Sequence, residues 1–200
     1  MMKYMDNTCF AGNTPVGEFV EYKGRKMLVV DDNTFKEALS ALKKNWIDGI
    51  CTSFITDMSE LLLSEEFNQD ISDWDVSNVT DMSYMFAHAV AFNQDISDWD
   101  VSNVTDMHSM FCGATEFNQD ISNWDVSSVT NMTSMFNQDV AFNQDISKWD
   151  VSNVINMNCM FRMATSFNQD LSKWNLSSVK NKEGMFFETA METNYDDDDE

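Results

Sequence analysis

The residues able to do chemistry are few and scattered. Two histidines, His88 and His108, and four cysteines, Cys9, Cys51, Cys112 and Cys159, are spread over 200 positions. The cysteines form no Cys-x-x-Cys pair and show no metal-ligand spacing. Cys9 with Cys51 stays open as a disulfide, while four reduced and mostly buried thiols are the plainer expectation. No G-x-S-x-G, H-E-x-x-H or G-x-x-x-x-G-K-[S/T] segment occurs. A catalytic pair would be written once into the chain, and neither histidine has an evident partner. The expectation is therefore no enzyme, no catalytic residue, no cofactor and no dedicated metal ligand.

Carboxylate is what the chain has in excess. The formal net charge is −22, which excludes nucleic acid or an anionic membrane as the natural partner. The charge is unevenly placed: the 25-residue segments beginning at Phe67 and Phe92 carry −4 and −5, and those beginning at Phe142 and Phe167 carry none. The last nine residues, Glu192 to Glu200, carry −6 and read as a disordered acidic tail. No apolar run is long enough to span a bilayer, so no membrane insertion is expected. Met1 to Asp6 has no apolar core of signal-peptide length, so secretion gains no support and localisation stays open.

Half of the carboxylates sit in a repeat. Phe67-Asn68-Gln69-Asp70 recurs at Phe92, Phe117, Phe142 and Phe167, each 25 residues on. The unit reads F-N-Q-D-(I/L)-S-x-W-(D/N)-(V/L)-S-(N/S)-V-x-x-M-x-x-M-F followed by about five looser positions, and the fifth copy places Lys182 at the first Met position. Units of this length cannot enclose a core alone, but stacked units share one. Phe67, Ile71, Trp74, Val76, Val79, Met82, Met85, Phe86 and their counterparts are the expected core rows, not a cofactor box. Only Gly113 and Gly184 and no proline lie in the array, so Asn68, Gln69, Asp70, Ser72 and Ser77 and their equivalents must turn the corners through side-chain hydrogen bonds.

Ile71-x-x-Trp74-x-Val76-x-x-Val79 has leucine-rich-repeat spacing. It predicts a repeat solenoid with a parallel β-sheet near residues 73–77 of each copy and short helical or 3₁₀ returns through the Met-Phe segment. A strand at 68–72 is the rival register. On the first register the residues flanking the inward Trp and Val point outward: Asp73, Asp75, Asp98, Asp100, Asn123, Asp125, Lys148, Asp150, Lys173 and Asn175. Variation on an unvaried frame is how repeat proteins acquire partners, so this face is the candidate site for a protein or glycan, on a monomer. A solvated face without a partner is the plainer reading. The Asp70, Asp95, Asp120, Asp145, Asp170 row needs something to offset its repulsion. Backbone N–H donors are the favoured answer, and Ca²⁺ in a calcium-stabilised structural solenoid is the alternative. The Asn-x-Thr/Ser matches at Asn78, Asn103, Asn131 and Asn175 are mostly by-products of the repeat.

Ahead of the array, Phe19-Val20-Glu21-Tyr22 and Met27-Leu28-Val29-Val30 flank Lys23-Gly24 and predict a hairpin. Thr34 to Glu37 reads as a capping box opening a helix to about Asn45, with Phe35, Ala38, Leu39, Leu42 and Trp46 on its buried face. The organisation read from the sequence is a flexible segment 1–14, an α+β cap with a degenerate first coil 15–60, a solenoid 61–191 with repeats starting at 67, 92, 117, 142 and 167, and the tail 192–200.

The unit F-N-Q-D-I-S-x-W-D-V-S-N-V-T-D-M-S-x-M-F resembles the repeat of the BspA-like surface-protein family, a divergent leucine-rich-repeat group of bacteria, mycoplasmas included, and some protists. The likeness covers residues 67–187, with Ile55-Thr56-Asp57-Met58-Ser59 as a degenerate copy before it. Residues 51–59 are also similar to the segment that leads into such arrays. It implies the solenoid fold, and surface display, adhesion or protein binding as function, with location at the cell surface or outside the cell.

Overall fold

The computed structural model describes residues 9–43 and 49–191. The expectations for residues 1–8, for Trp46 and for the tail 192–200 lie outside the described residues, as does the side chain of Leu42. β1 (Phe19–Tyr22) and β2 (Arg25–Asp31) pair antiparallel with Tyr22 opposite Arg25, leaving a two-residue turn. Lys23 and Gly24 both have positive φ, 49° and 75°, as the commonest hairpin turn requires. α1 (Phe35–Lys43) follows, and β3 (Gly49–Phe54) lies parallel to β2, giving the order β1-β2-β3. The helix start is built differently from a capping box. The Thr34 hydroxyl donates to the Asp31 carboxylate at 2.8 Å, and that carboxylate also accepts the Thr34 N–H at 3.0 Å. Phe35, Ala38 and Leu39 are buried on the inner face of the helix, with Phe35 set edge-on against Trp74 at 5.2 Å between centroids.

The repeats correct the expected architecture. A leucine-rich-repeat-like solenoid with a parallel sheet on one face and helical or 3₁₀ returns is not what they form. Among the described residues the one sheet is β1-β2-β3 and the one helix is α1. Each repeat is instead a succession of turns, and consecutive copies share a single-residue parallel bridge: Asp57–Asp81, Asp81–Asp106, Asp106–Asn131, Asn131–Asn156 and Asn156–Asn181.

The backbone explains the failure. Around the expected strand, the N–H of Trp74 returns to Ile71 and that of Val79 to Val76, while the N–H groups of Ser72 and Ser77 are taken by the carboxylates of Asp70 and Asp75. These donors are consumed inside the repeat and cannot build a ladder to a neighbour. Most of the backbone bonds between copies run through the Met-Phe segment, where a helical return was expected, and one more per copy runs along the Thr80, Thr105, Thr130 row. Met82, Tyr84, Phe86 and His88 donate to the carbonyls of Asp106, His108, Met110 and Cys112 at 2.7–3.0 Å. The alternate residues Met85, Ala87 and Ala89 donate three residues back within the copy. Every second amide therefore joins two copies.

This alternation puts two residues per copy in the left-handed region: Tyr84 and His88, Ser109 and Gly113, Ser134 and Gln138, Cys159 and Met163, Gly184 and Glu188, with φ from 54° to 70°. Such a conformation costs a non-glycine residue about 1–2 kcal/mol. The bonds that flank it, worth about 1 kcal/mol each, offset that cost. At Gly113 the lack of a side chain has a second use, since a Cβ there would lie 2.5 Å from His88 Nδ1.

Inside, like side chains stack. Phe86, Phe111, Phe136, Phe161 and Phe186 form one row with centroids 5.4–5.8 Å apart and rings within 6° of parallel. Phe92, Phe117, Phe142 and Phe167 form a second row at 5.9–6.2 Å, and the two rows meet face to face at 3.9–4.1 Å. Trp99, Trp124, Trp149 and Trp174 each donate the indole N–H to the Ile carbonyl of the copy before, at 3.1–3.3 Å. The core is continuous from Val30 in β2 to Met191. Full burial of one Phe contributes about 1.5–3 kcal/mol, so the stack draws its stability from these rows.

Candidate recognition face

The ten residues expected to meet a partner divide into two sets with different duties. Asp75, Asp100, Asp125, Asp150 and Asn175 are turn formers. Each side-chain oxygen accepts the N–H of the serine two residues on, at 3.0–3.2 Å. The Ser152 hydroxyl and N–H hold the Asp150 carboxyl below the usual range. Asp75 is also buried, and its carbonyl accepts the Thr52 hydroxyl of β3 at 2.9 Å. The other set is Asp73, Asp98, Asn123, Lys148 and Lys173. The last four are exposed. Asp73 is half-buried under the hairpin: Arg25 bridges it at 2.9 Å, and the Cys9 N–H takes its carbonyl at 3.0 Å. Burial pushes the Asp73 carboxyl up, and Arg25 counters that in part. The cap thus removes the first level from the face and leaves four.

The Asp70 row borders this strip. Asp70, Asp95, Asp120, Asp145 and Asp170 each accept a serine N–H at 2.9–3.0 Å. The N–H and hydroxyl of Ser72 hold Asp70 below the usual carboxylate range, and Ser122, Ser147 and Ser172 do the same for Asp120, Asp145 and Asp170. Lys148 and Lys173 add a smaller pull on Asp145, and Arg25 and Lys23 on Asp70. Serine hydrogen bonds thus stabilise the charged form of Asp70, Asp120, Asp145 and Asp170. Among the described residues no group of three or more His, Cys, Asp or Glu side chains is placed to hold a metal ion.

A third set of turns, at Asp81, Asp106, Asn131, Asn156 and Asn181, was not foreseen. Each accepts the N–H two residues on, at 2.8–3.2 Å. The glycosylation-like asparagines are also occupied: Asn78 and Asn103 donate their amides to Ser53 and Ser77 carbonyls at 2.8 and 2.7 Å. Across the copies, Asn93 N–H and Gln94 Nε2 both reach Asn68 Oδ1, at 3.0 and 2.8 Å, and the pattern repeats downstream. His88 and His108 stay apart in role: His88 covers Gly113, and His108 packs on Tyr84 with centroids 4.7 Å apart.

A cleft of about 130 Å³ beside the helix is lined by Asp32, Phe35, Lys36, Asp57, Ser59 and Leu61. Small-molecule sites occupy roughly 300–1,000 Å³, so this cleft is undersized for one. No helix among the described residues is long and apolar enough to cross a membrane.

Neither the curated proteins nor the solved structures give a match to this chain. A family model does, twice and in overlapping stretches, over residues 32–129 and 95–198, as a repeated unit should. Those stretches cover the helix, β3 and all five copies, and the chain belongs to the family described as "Mycoplasma protein of unknown function, DUF285".

Proposed function

We propose that this protein is a non-enzymatic binding scaffold for a protein or glycan, recognising its partner through the exposed strip Asp98, Asn123, Lys148 and Lys173. One observation carries the reading. Along this strip the side chain changes from acidic through neutral to basic, while the Asp70 row, the tryptophans and the phenylalanines keep the same residue in every copy. A frame that holds its own residues constant and lets one outward row vary has the logic of a recognition surface. The graded charge favours a partner with the opposite gradient, docked in one orientation. Asp100, Asp125, Asp150 and Asn175 sit at the edge of the strip and act mainly on the frame. The likeness of the repeat to BspA-like surface proteins supports adhesion or display at a cell surface as the setting.

The test starts with the whole chain as bait on a glycan array and against surface-protein extracts. Binders are then compared with the double variant Asp98→Lys with Asn123→Lys. Both residues are exposed, and the serine turns beside them are held by Asp100 and Asp125, so far-UV circular dichroism should not change. Loss of binding by at least about tenfold supports the strip, since reversing charge at a contact costs more than 1.4 kcal/mol. A binder whose affinity does not respond places recognition elsewhere.

A further inference from the structure

The N-terminal sheet has a small core of its own, apart from the main stack. It consists of Cys9, Ala11, Met27, Val29 and Cys51, with Val20 and Tyr22 packed against it. Cys9 and Cys51 are both wholly buried. The Cys51 thiol donates to the Cys9 carbonyl at 3.0 Å, across 42 residues of sequence, and lies 3.4 Å from Ser53 Oγ. The Cys9 segment is fixed on both sides, by its own N–H to Asp73 at 3.0 Å and by Ala11 N–H to Ser53 Oγ at 2.9 Å. Cys112 and Cys159 belong to different copies, outside this core, and are partly exposed.

We propose that Cys9 and Cys51 are a thiol–disulfide pair whose closure staples the N-terminal segment to β3 and to the covered end of the stack. The chemistry of the two sulfurs is already unequal. The hydrogen bond from Cys9 and those from Ser53 pull the Cys51 thiol down to about 7 against the effect of burial, while Cys9 is pushed up by the same contact and by burial. Cys51 is accordingly the nucleophile. With a small disulfide such as oxidised glutathione as oxidant, the Cys51 thiolate attacks one sulfur. A mixed disulfide forms and one glutathione thiolate leaves. Cys9 then loses its proton and attacks the Cys51 sulfur, releasing the second glutathione thiolate. Two cysteine thiols are oxidised, one small disulfide is reduced to two thiols, and the two protons go to those thiols. Both sulfurs are buried, so the first exchange occurs when the Cys9 segment lifts from β3, and closure reseats it.

The bond closes a long loop around a sparse core, the setting in which a crosslink stabilises most in chain-entropy terms. The experiment incubates the full chain in oxidised glutathione or in dithiothreitol, quenches with acid, alkylates under denaturing conditions and maps the peptides. The expected product is a Cys9–Cys51 linked peptide with Cys112 and Cys159 alkylated, and a thermal midpoint at least about 5 °C above the reduced form. Cys112→Ser with Cys159→Ser should keep both results. The mapping needs no variant to fold. Cys9 and Cys51 both alkylated, only glutathionylated, or linked to Cys112 or Cys159 would overturn the proposal.

Discussion

Replacing Asp139 with alanine should make the protein more stable, and by more as the pH rises. The row that holds Ala89, Ala114 and Ala164 in other copies holds Asp139 in the third, with no exposed surface. In the alanine copies the N–H of Phe92, Phe117 and Phe167 donates to the alanine carbonyl at 2.9–3.0 Å. In the third copy the Phe142 N–H turns to Asp139 Oδ1 at 3.3 Å, and Oδ2 has no partner. Asp139→Ala removes an unsatisfied buried oxygen and returns Phe142 to the bond its counterparts make. The expected gain is about 1–3 kcal/mol below about pH 4, where the carboxyl holds its proton in both states. Burial raises the Asp139 carboxyl to about 9, with the N–H groups of Ala141 and Phe142 opposing. An unfolded Asp titrates near about 4, so between these values the folded chain alone holds the proton. The contribution is complete below the unfolded pKa and is lost as pH climbs toward the folded one. The slope is about 1.4 kcal/mol per pH unit. Urea unfolding of parent and variant should therefore show a stability gap that widens by a few kcal/mol from about pH 5 to about pH 8. The effects of Cys51 and of the lowered aspartates are common to both chains and cancel. A gap that is flat with pH, or a variant less stable throughout, would mean that Asp139 is not a buried carboxyl lacking a partner.

Four further outcomes follow from the packing and the corner hydrogen bonds. Trp124→Ala should cost about 3–5 kcal/mol and Trp124→Phe a smaller amount that includes the indole bond to Ile96, both read from denaturant midpoints. Ser134→Gly should raise stability by up to about 1 kcal/mol, because Ser134 has a φ of 54° that glycine adopts without strain. Exchanging EDTA for millimolar Ca²⁺ at matched ionic strength should leave the melting temperature unchanged. Acid should destabilise as pH falls through the lowered carboxyls of Asp70, Asp120, Asp145, Asp150 and Asp170, whose contribution is complete only above the unfolded value near about 4.

The core was legible residue by residue, because a repeat writes its inward positions over and over: Phe67, Ile71, Trp74, Val76, Val79, Met82, Met85 and Phe86 are all buried, whereas in the last copy Leu176 is exposed and Lys182 takes the place of Met82. The hairpin was legible from Lys23-Gly24, and the corners from Asp70, Ser72 and Ser77. The sheet was misread because inward alternation at Trp74 and Val76 is a statement about side chains and says nothing of where the amides go. The aspartates already counted as corner residues and face residues were the missing clue, since an Asp two residues before Ser captures the amide a strand would need. The Met-Phe segment looked helical because turns of three and helices share spacings of three and four. Its true conformation had one trace, Gly113 and Gly184 standing at the two left-handed positions. At the candidate site, spacing placed Asp98 and Asp100 on one face equally, and only hydrogen bonding separates the turn former from its neighbour. Asp139 also left a mark: Phe136-Asn137-Gln138-Asp139 is an out-of-register copy of the motif that begins again at Phe142.

The copies are joined mainly through the Met-Phe turns, which leaves the row beside each tryptophan free to vary. Nuclear Overhauser contacts in the third and fourth copies of the labelled full chain test it most directly. Slow amide exchange is expected at Met132, Ser134, Phe136 and Gln138, with backbone contacts from these residues to Asn156, Asn158, Met160 and Arg162. Slow exchange along Asn123–Ser127, with backbone contacts from there to Lys148–Ser152, would restore the strand beside the tryptophan and contradict it.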